Sequence, residues 1–524
     1  MRAQKNRNIT SLRNITSLLA LAIIGGMCAG PDSSLSLDEG ARLSRQYCSS
    51  CHLYPEPGSI DKRSWKEWVL PQMGYRLGIY EDTTRAALIE TGAGGQKVVQ
   101  QNIFPSEPML DEKKWKLIKN YYITLAPDTL ERSPGSVLNG IDYLVPEVPD
   151  FRISPPLISA IKYNSELRQL YLADFKTDYS TINILDQQFR SVSTLALPSP
   201  VSNISYHLDT LLVLMMGGFV PTDNPGGSLV RIFKQPGSGE YKGYQTVVKD
   251  LQRPVDIRYG DFNLDRREDL VIAEYGNHTG SLSLFWQQPN GQYQKQLLNM
   301  DPGAASLVVA DLDRDGQQDV VALMAQGNER IVAYYNQGEG TFSTKEWMRF
   351  PPSYGSMKIS LFDWNGDGHQ DLLYVNGDNA DYSPIFKPYH GVRLYINDGK
   401  DAFTLTHFEQ IDGAYDAVVD DFDRDGDFDI AVIAFFPDLV ESPERGFILL
   451  ENKGGDSLVF EQRVIDEGKN GRWMVMEHAD IDDDSDKDLV LASFTGMLVN
   501  GDTRGRTGKW LIRNSPTLMI LKTR

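Results

Sequence analysis

The chain has 524 residues, 41% of them hydrophobic, and a formal net charge of -19. This length allows more than one domain, and the acidic excess argues against a nucleic-acid partner, because a phosphate-binding surface needs clustered Lys and Arg. The 45 Gly, the 27 Pro and the 10% of aromatic residues favour a turn-rich β protein over a helical bundle.

Residues 1–28 have the pattern of an export signal. A basic start precedes the short apolar segment 18–24, which is too short to span a bilayer. Cys28 stands where a bacterial lipoprotein signal places its lipidated cysteine, although Met27 before it departs from that pattern. We expect an exported bacterial protein, either a periplasmic one or a lipoprotein of the outer membrane or cell surface attached through Cys28. The alternative is ordinary cleavage nearby, with Cys28 lost or left as a spare thiol.

A small helical domain is predicted next. Segments 36–47, 62–72 and 111–125 carry apolar residues at helical spacing. The first of them begins with a capping-box pattern, Ser36 followed by Glu39. Three short helices make a thin core, and such a core needs an additional cross-link or cofactor.

The stretch YCSSCH, residues 47–52, follows the first helix. C-x-x-C-H is the c-type haem attachment pattern, in which Cys48 and Cys51 bond to the porphyrin and His52 ligates the iron. A zinc site would need about four ligands, which this region does not supply. A thioredoxin-like site would need a βαβ setting, whereas this region is predicted to be helical.

Residues 36–127 resemble a single-haem class I cytochrome c. In that family a small residue of the first helix packs against an aromatic residue of the last, and Gly40 with Tyr121 or Tyr122 matches that pair. The resemblance implies one covalent haem c, electron transfer and a redox partner protein.

The second axial ligand of the iron is left open by the sequence. The family usually has Met-Pro shortly before the last helix, but Phe104 precedes Pro105 here and Met109 comes five residues later. Met73, between an aromatic helix and Gly74, is the favoured ligand, Met109 is the second candidate, and an open iron site is the third. For either Met, the alternative is a filler of the core.

Residues 128–156 are predicted to be a linker with an entry strand, and residues 157–524 a β-propeller. Five acidic motifs begin at Asp261, Asp311, Asp363, Asp421 and Asp480, spaced 50, 52, 58 and 59 residues apart, and each precedes an apolar run. Such a period indicates a repeat array. Two degenerate copies, in segments 159–186 and 201–233, raise the expected number of blades to seven.

The spacing of oxygen-bearing side chains in these motifs predicts calcium sites. Ligands at positions 1, 3, 5 and 9 converge when the loop is tightly turned, and hard oxygen ligands select calcium. An EF-hand is rejected because position 12 holds no Glu. The loops resemble the calcium loops of FG-GAP or VCBS repeats, as in the integrin α-subunit propeller. The alternative is an Asx-turn corner that never binds a cation.

Up to five calcium ions are therefore expected. The predicted ligands are Asp261, Asn263, Asp265 and Asp269; Asp311, Asp313, Asp315 and Asp319; Asp363, Asn365, Asp367 and Asp371; Asp421, Asp423, Asp425 and Asp429; and Asp480, Asp482, Asp484 and Asp488. Position 6 is Gly in the three middle loops, whereas Arg266 and Ser485 occupy it in the first and last.

The predicted fold class is multidomain, with a small all-α cytochrome c domain before an all-β propeller of seven blades. We expect an exported haem c electron-transfer protein whose propeller docks a partner protein or a polysaccharide. Two alternatives stay open: an oxidoreductase with its active site on the propeller face, and a ligand-binding propeller with a redox-sensing haem. No catalytic constellation is evident in the sequence.

Overall fold

The computed structural model describes residues 33–524 apart from 177–178, 208–209, 236–240, 381 and 455–457. The predicted export signal, including Cys28, lies outside the described residues. Among the described helices, none combines the length and apolar composition needed to cross a membrane.

Residues 33–127 form the helical unit. Its helices are α1 (Ser33–Cys48), α2 (Lys62–Ser64), α3 (Leu70–Arg76), α4 (Ala93–Gln100) and α5 (Glu112–Leu125). A π-helical turn, Trp65–Val69, joins α2 to α3. The Asp111 side chain accepts a hydrogen bond from the backbone N–H of Lys114, which caps the start of α5. The helices predicted from the apolar spacing are therefore present within a few residues.

The core of the helical unit is aromatic. Trp65, Trp115, Ile118 and Tyr122 are almost fully buried in one cluster. The rings of Trp65 and Tyr122 lie 4.3 Å apart between centroids. The small unit thus gains much of its apolar burial from a few large rings.

Seven blades form the propeller, as predicted; six are four-stranded sheets, and the sheet of blade 6 has a fifth strand. Blade 1 comprises β3 (Ile158–Asn164), β4 (Gln169–Phe175), β5 (Ser180–Leu185) and β6 (Ser191–Leu197). Blade 2 comprises β7 (Val201–His207), β8 (Thr210–Met215), β9 (Gly227–Phe233) and β10 (Gln245–Leu251). Blade 3 comprises β11 (Pro254–Gly260), β12 (Asp269–Glu274), β13 (Ser281–Gln287) and β14 (Tyr293–Asn299). Blade 4 comprises β15 (Ala304–Ala310), β16 (Asp319–Met324), β17 (Arg330–Asn336) and β18 (Phe342–Arg349).

The remaining blades repeat the same antiparallel order. Blade 5 comprises β19 (Ser356–Phe362), β20 (Asp371–Asn376), β21 (Gly391–Asn397) and β22 (Phe403–Gln410). Blade 6 comprises β23 (Ala414–Asp420), β24 (Asp429–Ala434), β25 (Phe447–Asn452) and β26 (Phe460–Val464). Blade 7 contains β27 (Trp473–Ala479), β28 (Asp488–Ser493) and β29 (Leu518–Thr523). The apolar run after each acidic motif forms the second strand of blades 3 to 7, and every residue of those strands is buried.

The segment predicted as a linker with an entry strand, 128–156, contributes two strands to the ring. Strand β2 (Leu144–Glu147) pairs antiparallel with β29 and supplies the outer strand of blade 7. Strand β1 (Val137–Asn139) pairs parallel with β26 at the outer edge of blade 6. The ring therefore closes through β2, which precedes blade 1 in the chain, and β1 adds a fifth strand to blade 6.

The two ends of the ring differ in their loops. The acidic face carries the connections between the first and second strands, which are the five acidic loops of blades 3 to 7. The docking face, at the opposite end, carries the connections between second and third strands. The longer connections of the docking face are 216–226, 377–390, 435–446 and 494–517.

The helical unit lies on the docking face. The Glu90 carboxylate accepts hydrogen bonds from the Thr222 hydroxyl at 2.8 Å and from the Asn224 amide at 3.0 Å. At blade 5, the Tyr389 hydroxyl donates to the Ser59 carbonyl at 2.8 Å. The loops of blades 2 and 5 thus hold two separate parts of the helical unit, and the acidic loops face away from it.

Candidate functional site

The C-x-x-C-H residues lie at the C-terminal end of α1. Cys48 is half-buried, Cys51 is exposed, and both thiols are free. Burial raises the pKa of the Cys48 thiol to about 11, so Cys48 is a neutral thiol at physiological pH. Two free thiols next to an imidazole are the groups that covalent haem attachment requires.

His52 has one ring nitrogen engaged and one available. Its Nδ1 lies 2.9 Å from the Leu53 carbonyl oxygen. Because a carbonyl oxygen only accepts, Nδ1 carries the proton and Nε2 is left bare. Burial lowers the pKa of His52, which favours this neutral form. A backbone carbonyl that fixes the tautomer of a ligating imidazole is the usual second partner of such a ligand.

The close approach of α1 to α5 depends on Gly40. A Cβ atom added there would lie 2.6 Å from the Leu117 carbonyl oxygen and 2.8 Å from Tyr121 Cβ. Gly40 therefore contacts Tyr121, whereas the Tyr122 hydroxyl donates to the Pro55 carbonyl at 2.9 Å. This pairing sets how closely α1, with Cys48 at its C-terminal end, approaches α5.

The two candidate axial methionines have different surroundings. Met73 is half-buried and packs against the same core cluster as Cys48. Met109 is 55% exposed, and its backbone N–H donates to the Leu77 carbonyl at 2.9 Å. Phe104, in the position where the family has Met, is buried against Tyr75. The axial ligand stays a prediction. Met73 is favoured over Met109 because it packs against the core cluster that Cys48 also contacts, whereas Met109 is exposed.

The five acidic loops share one backbone conformation. At position 4 they hold Leu264, Arg314, Gly366, Arg424 and Asp483, and at position 6 Arg266, Gly316, Gly368, Gly426 and Ser485, all with positive φ. In each loop the position 6 N–H donates to the carboxylate of position 1, for example from Gly316 to Asp311 at 3.0 Å. The sharp turn predicted from Gly at position 6 therefore occurs also where Arg266 and Ser485 replace it.

Positions 1, 3 and 5 converge, as metal binding requires. Oxygens of three trios lie within 4.8 Å of one another: Asp311, Asp313 and Asp315; Asp421, Asp423 and Asp425; and Asp480, Asp482 and Asp484. The other two loops have an Asn at position 3, and the Asn365 side-chain oxygen accepts from the Asp367 N–H at 3.0 Å. These clusters could hold a hard cation such as calcium.

Position 9 has a role that the sequence does not reveal. This carboxylate is buried in all five loops: Asp269, Asp319, Asp371, Asp429 and Asp488. Its two oxygens accept backbone N–H groups from position 2 and from the end of the blade's third strand, as Asp319 does from Leu312 and Asn336 at 2.8 Å each. Position 9 thus fastens the loop to its blade, and its oxygens lie outside the trios.

Burial and the neighbouring carboxylates raise the pKa of the position 9 residues. The pKa is raised to about 6 for Asp319 and to about 7 for Asp429, with burial as the largest cause. A bound divalent cation would offset the repulsion from the nearby carboxylates and favour the ionised form.

The loops are also connected by arginines. The Arg314 guanidinium donates to the Gly368 carbonyl of the next loop, and Arg424 pairs with Asp486 of blade 7. In the first loop, Arg267 pairs with Asp265, the position 5 carboxylate. The first loop therefore supplies its own positive charge beside a predicted calcium ligand, in addition to lacking Gly at position 6.

Comparisons with known proteins give a family match to part of the propeller. No curated protein matches the chain. Among solved structures, a protein from Lactobacillus plantarum is 15% identical, with 59% of this chain and 85% of that chain covered and a TM-score of 0.40. Saccharomyces cerevisiae Sqt1 is 9% identical, with 75% and 100% covered and a TM-score of 0.42. Residues 261–322 and 321–374 match the family model for an FG-GAP-like repeat, so the propeller contains FG-GAP-like repeats that include the first three acidic loops.

Proposed function

We propose that this chain is an exported haem c electron-transfer protein whose calcium-binding propeller is a docking or ligand-binding scaffold. The observation that carries the proposal is the constellation at the end of α1. Two free thiols, Cys48 and Cys51, precede a neutral imidazole whose Nδ1 is engaged by a backbone carbonyl. FG-GAP-like repeats in a seven-bladed ring support the scaffold role.

The residues present fit a covalently attached haem. Cys48 and Cys51 would form the two thioether bonds, His52 Nε2 would ligate the iron, and Met73 would be the second protein ligand of the iron. When bound, haem supplies reversible one-electron transfer. The chain's own contribution is to fix the imidazole tautomer and to hold α1 against α5.

Calcium binding is proposed for the acidic loops. The convergent trios and the left-handed turns at positions 4 and 6 support it, and the FG-GAP-like match extends over the first three loops. We propose up to five calcium ions, with the first loop as the weakest site because Arg267 already pairs with Asp265.

The haem proposal is tested by producing the full chain in a bacterium with c-type maturation and recording its optical spectrum. Haem that stays with the denatured polypeptide, and its loss in Cys48→Ala and Cys51→Ala, is the expected result. His52→Gln removes the proposed iron ligand, and His369→Gln on the acidic face is the matched control. A chain that matures without any covalent haem would refute the proposal.

A second candidate, an oxidoreductase with haem as internal electron acceptor, is favoured by one observation. The helical unit is fixed to the docking face at blades 2 and 5, so a substrate bound on that face would lie beside the electron acceptor. A screen of reductants separates the two: reduction by a sugar or an alcohol supports the enzyme, and reduction only by small redox proteins supports the carrier.

A further inference from the structure

The longest connection of the docking face is an insertion in blade 7. Residues 494–517 separate β28 from β29 and contain helix α6 (Arg506–Asn514). The Asp502 carboxylate accepts the backbone N–H groups of Arg506 and Gly508 at 2.9 and 2.8 Å, which holds the start of the helix. Leu511 is buried and anchors the helix to the propeller.

The charge of this insertion is opposite to that of the chain. It holds four basic residues and a single acidic one, Asp502, in a protein of net charge -19. With Leu511 directed inwards, the helical period of 3.6 residues places Arg506, Lys509 and Arg513 on the outward face. All three are exposed. The insertion therefore presents a basic stripe that suits an anionic partner.

Exposed apolar side chains flank the basic stripe. Trp510 is 45% exposed and Ile512 is 41% exposed, and they lie on either side of the outward face. Leu498, earlier in the insertion, is 93% exposed. Trp is enriched at membrane–water interfaces, and exposed Lys and Arg are attracted to anionic headgroups, so this composition suits a membrane surface.

The exposed Leu498 is held in place by a buried scaffold. The Arg472 guanidinium, itself buried, donates to the Met497 carbonyl at 2.7 Å and to the Leu498 carbonyl at 3.2 Å. Phe494 stacks on Phe219 of blade 2 with ring centroids 4.9 Å apart. Because these contacts fix the backbone at Leu498, its exposed apolar side chain is held in a defined position on the surface.

We propose that the insertion 494–517 binds the surface of a lipid bilayer that contains anionic phospholipids. The basic stripe attracts the headgroups, and Leu498, Trp510 and Ile512 enter the interface between headgroups and acyl chains. A bilayer is favoured over an anionic polysaccharide because a polysaccharide offers no layer in which Leu498 and Ile512 gain from burial. The proposal does not depend on haem or on lipidation of Cys28.

The test uses residues 29–524, which lack the predicted export signal and Cys28, so that neither the basic and apolar residues of the signal nor an acyl anchor contributes. Co-sedimentation is measured with phosphatidylcholine vesicles that either contain or lack phosphatidylglycerol. Binding is expected only to the anionic vesicles. Replacing Arg506, Lys509 and Arg513 with Gln should weaken it about 100-fold, since each basic residue near an anionic surface contributes about 1 kcal/mol. Leu498→Ser should weaken binding without changing its dependence on salt.

The controls lie away from the insertion. Replacement of Lys345, Arg349 and Lys400 with Gln, in blades 4 and 5, removes the same charge and should leave vesicle binding within about twofold of the parent. Leu264→Ser is the control for Leu498→Ser: it removes an exposed apolar side chain from the acidic face and should leave vesicle binding unchanged. Failure to bind anionic vesicles, equal binding to both vesicle types, or unchanged binding by the Arg506, Lys509 and Arg513 variant would each overturn the proposal.

Discussion

Arg76 of the helical unit and His278 of blade 3 are joined by a hydrogen bond of 2.8 Å from the guanidinium to Nδ1. Phe104 completes the contact, because its ring lies edge-on to His278 at 5.0 Å and 5.0 Å from the guanidinium carbon of Arg76. Burial and the charge of Arg76 lower the pKa of His278 to about 4. The contact therefore requires the neutral imidazole as acceptor.

Loss of this contact should loosen the helical unit from the propeller. Arg76→Leu leaves His278 Nδ1 without its donor, and we expect a loss of about 2 kcal/mol in the free energy of unfolding. Differential scanning calorimetry should then resolve an earlier transition for the helical unit. Arg63→Leu removes an exposed arginine paired with Glu67 and should cost less than about 1 kcal/mol.

The same contact predicts a dependence on pH. The folded-state pKa of His278, about 4, lies below the ordinary value of 6.5. The neutral His278 side chain therefore contributes its full stabilisation above pH 6.5. This stabilisation is lost as the pH falls towards about 4, because His278 of the unfolded chain is protonated at a higher pH than His278 of the folded chain. The stability of His278→Gln should fall less over this range in urea titrations. An equal fall in both proteins would contradict the assignment.

Gly40→Ala should destabilise the helical unit. The new Cβ would lie 2.6 Å from the Leu117 carbonyl oxygen, so α1 must move away from α5 at a cost of about 1–3 kcal/mol. Urea unfolding followed by far-ultraviolet circular dichroism measures the loss. Gly58→Ala is the matched control, because no atom lies within 4 Å of its added Cβ. Equal stability of the two variants would show that the crossing tolerates a side chain.

The axial methionine can be identified from the weak absorption band near the red end of the ferric spectrum. We expect Met73→Ala to abolish the band and Met109→Ala to retain it, because Met73 packs with Cys48 whereas Met109 is exposed. Loss of the band only in Met109→Ala would reverse the assignment. A band that survives in both variants, or is absent from the parent, would exclude both residues.

Removal of calcium should lower the melting temperature of the propeller, most strongly above pH 7. Without a cation, ionisation of the buried position 9 carboxylates destabilises the folded chain, because burial disfavours their charged form. Since their folded-state pKa is raised, this destabilisation is present at pH values above the pKa. Protonation relieves it as the pH falls through about 6, the value to which the pKa of Asp319 and Asp488 is raised. Scanning calorimetry with and without chelator at several pH values measures the difference. An unchanged melting temperature in excess chelator would refute structural calcium.

Substitution by Gly at position 6 should stabilise the first and last acidic loops. Ser485 and Arg266 have φ of 79° and 65°, where a side chain costs roughly 1 kcal/mol relative to Gly. Ser485→Gly and Arg266→Gly should therefore raise the free energy of unfolding by up to about 1 kcal/mol in urea titrations. Gly426→Ala, at φ 97°, should have the opposite effect.

The sequence predicts best where its signal repeats. Five copies of the acidic motif, each before an apolar run, predict blades 3 to 7. Convergence is predicted for positions 1, 3, 5 and 9, and positions 1, 3 and 5 converge in three of the loops, with position 9 outside these trios. The backbone role of position 9 escapes prediction because it depends on a partner strand, as with Asp319 and Asn336. The contact between Arg76 and His278 joins residues 202 positions apart and leaves no local pattern.

Closure of the ring through β2 has a kinetic consequence. Blade 7 is complete only when β2, which precedes blade 1, pairs with β29, which follows every other strand. Bringing such distant segments together costs chain entropy before the hydrogen bonds between β2 and β29 form. The closing step should therefore be slow and late in folding. Until then β29 presents an unpaired edge, and folding intermediates with that edge exposed are the species most prone to intermolecular strand pairing.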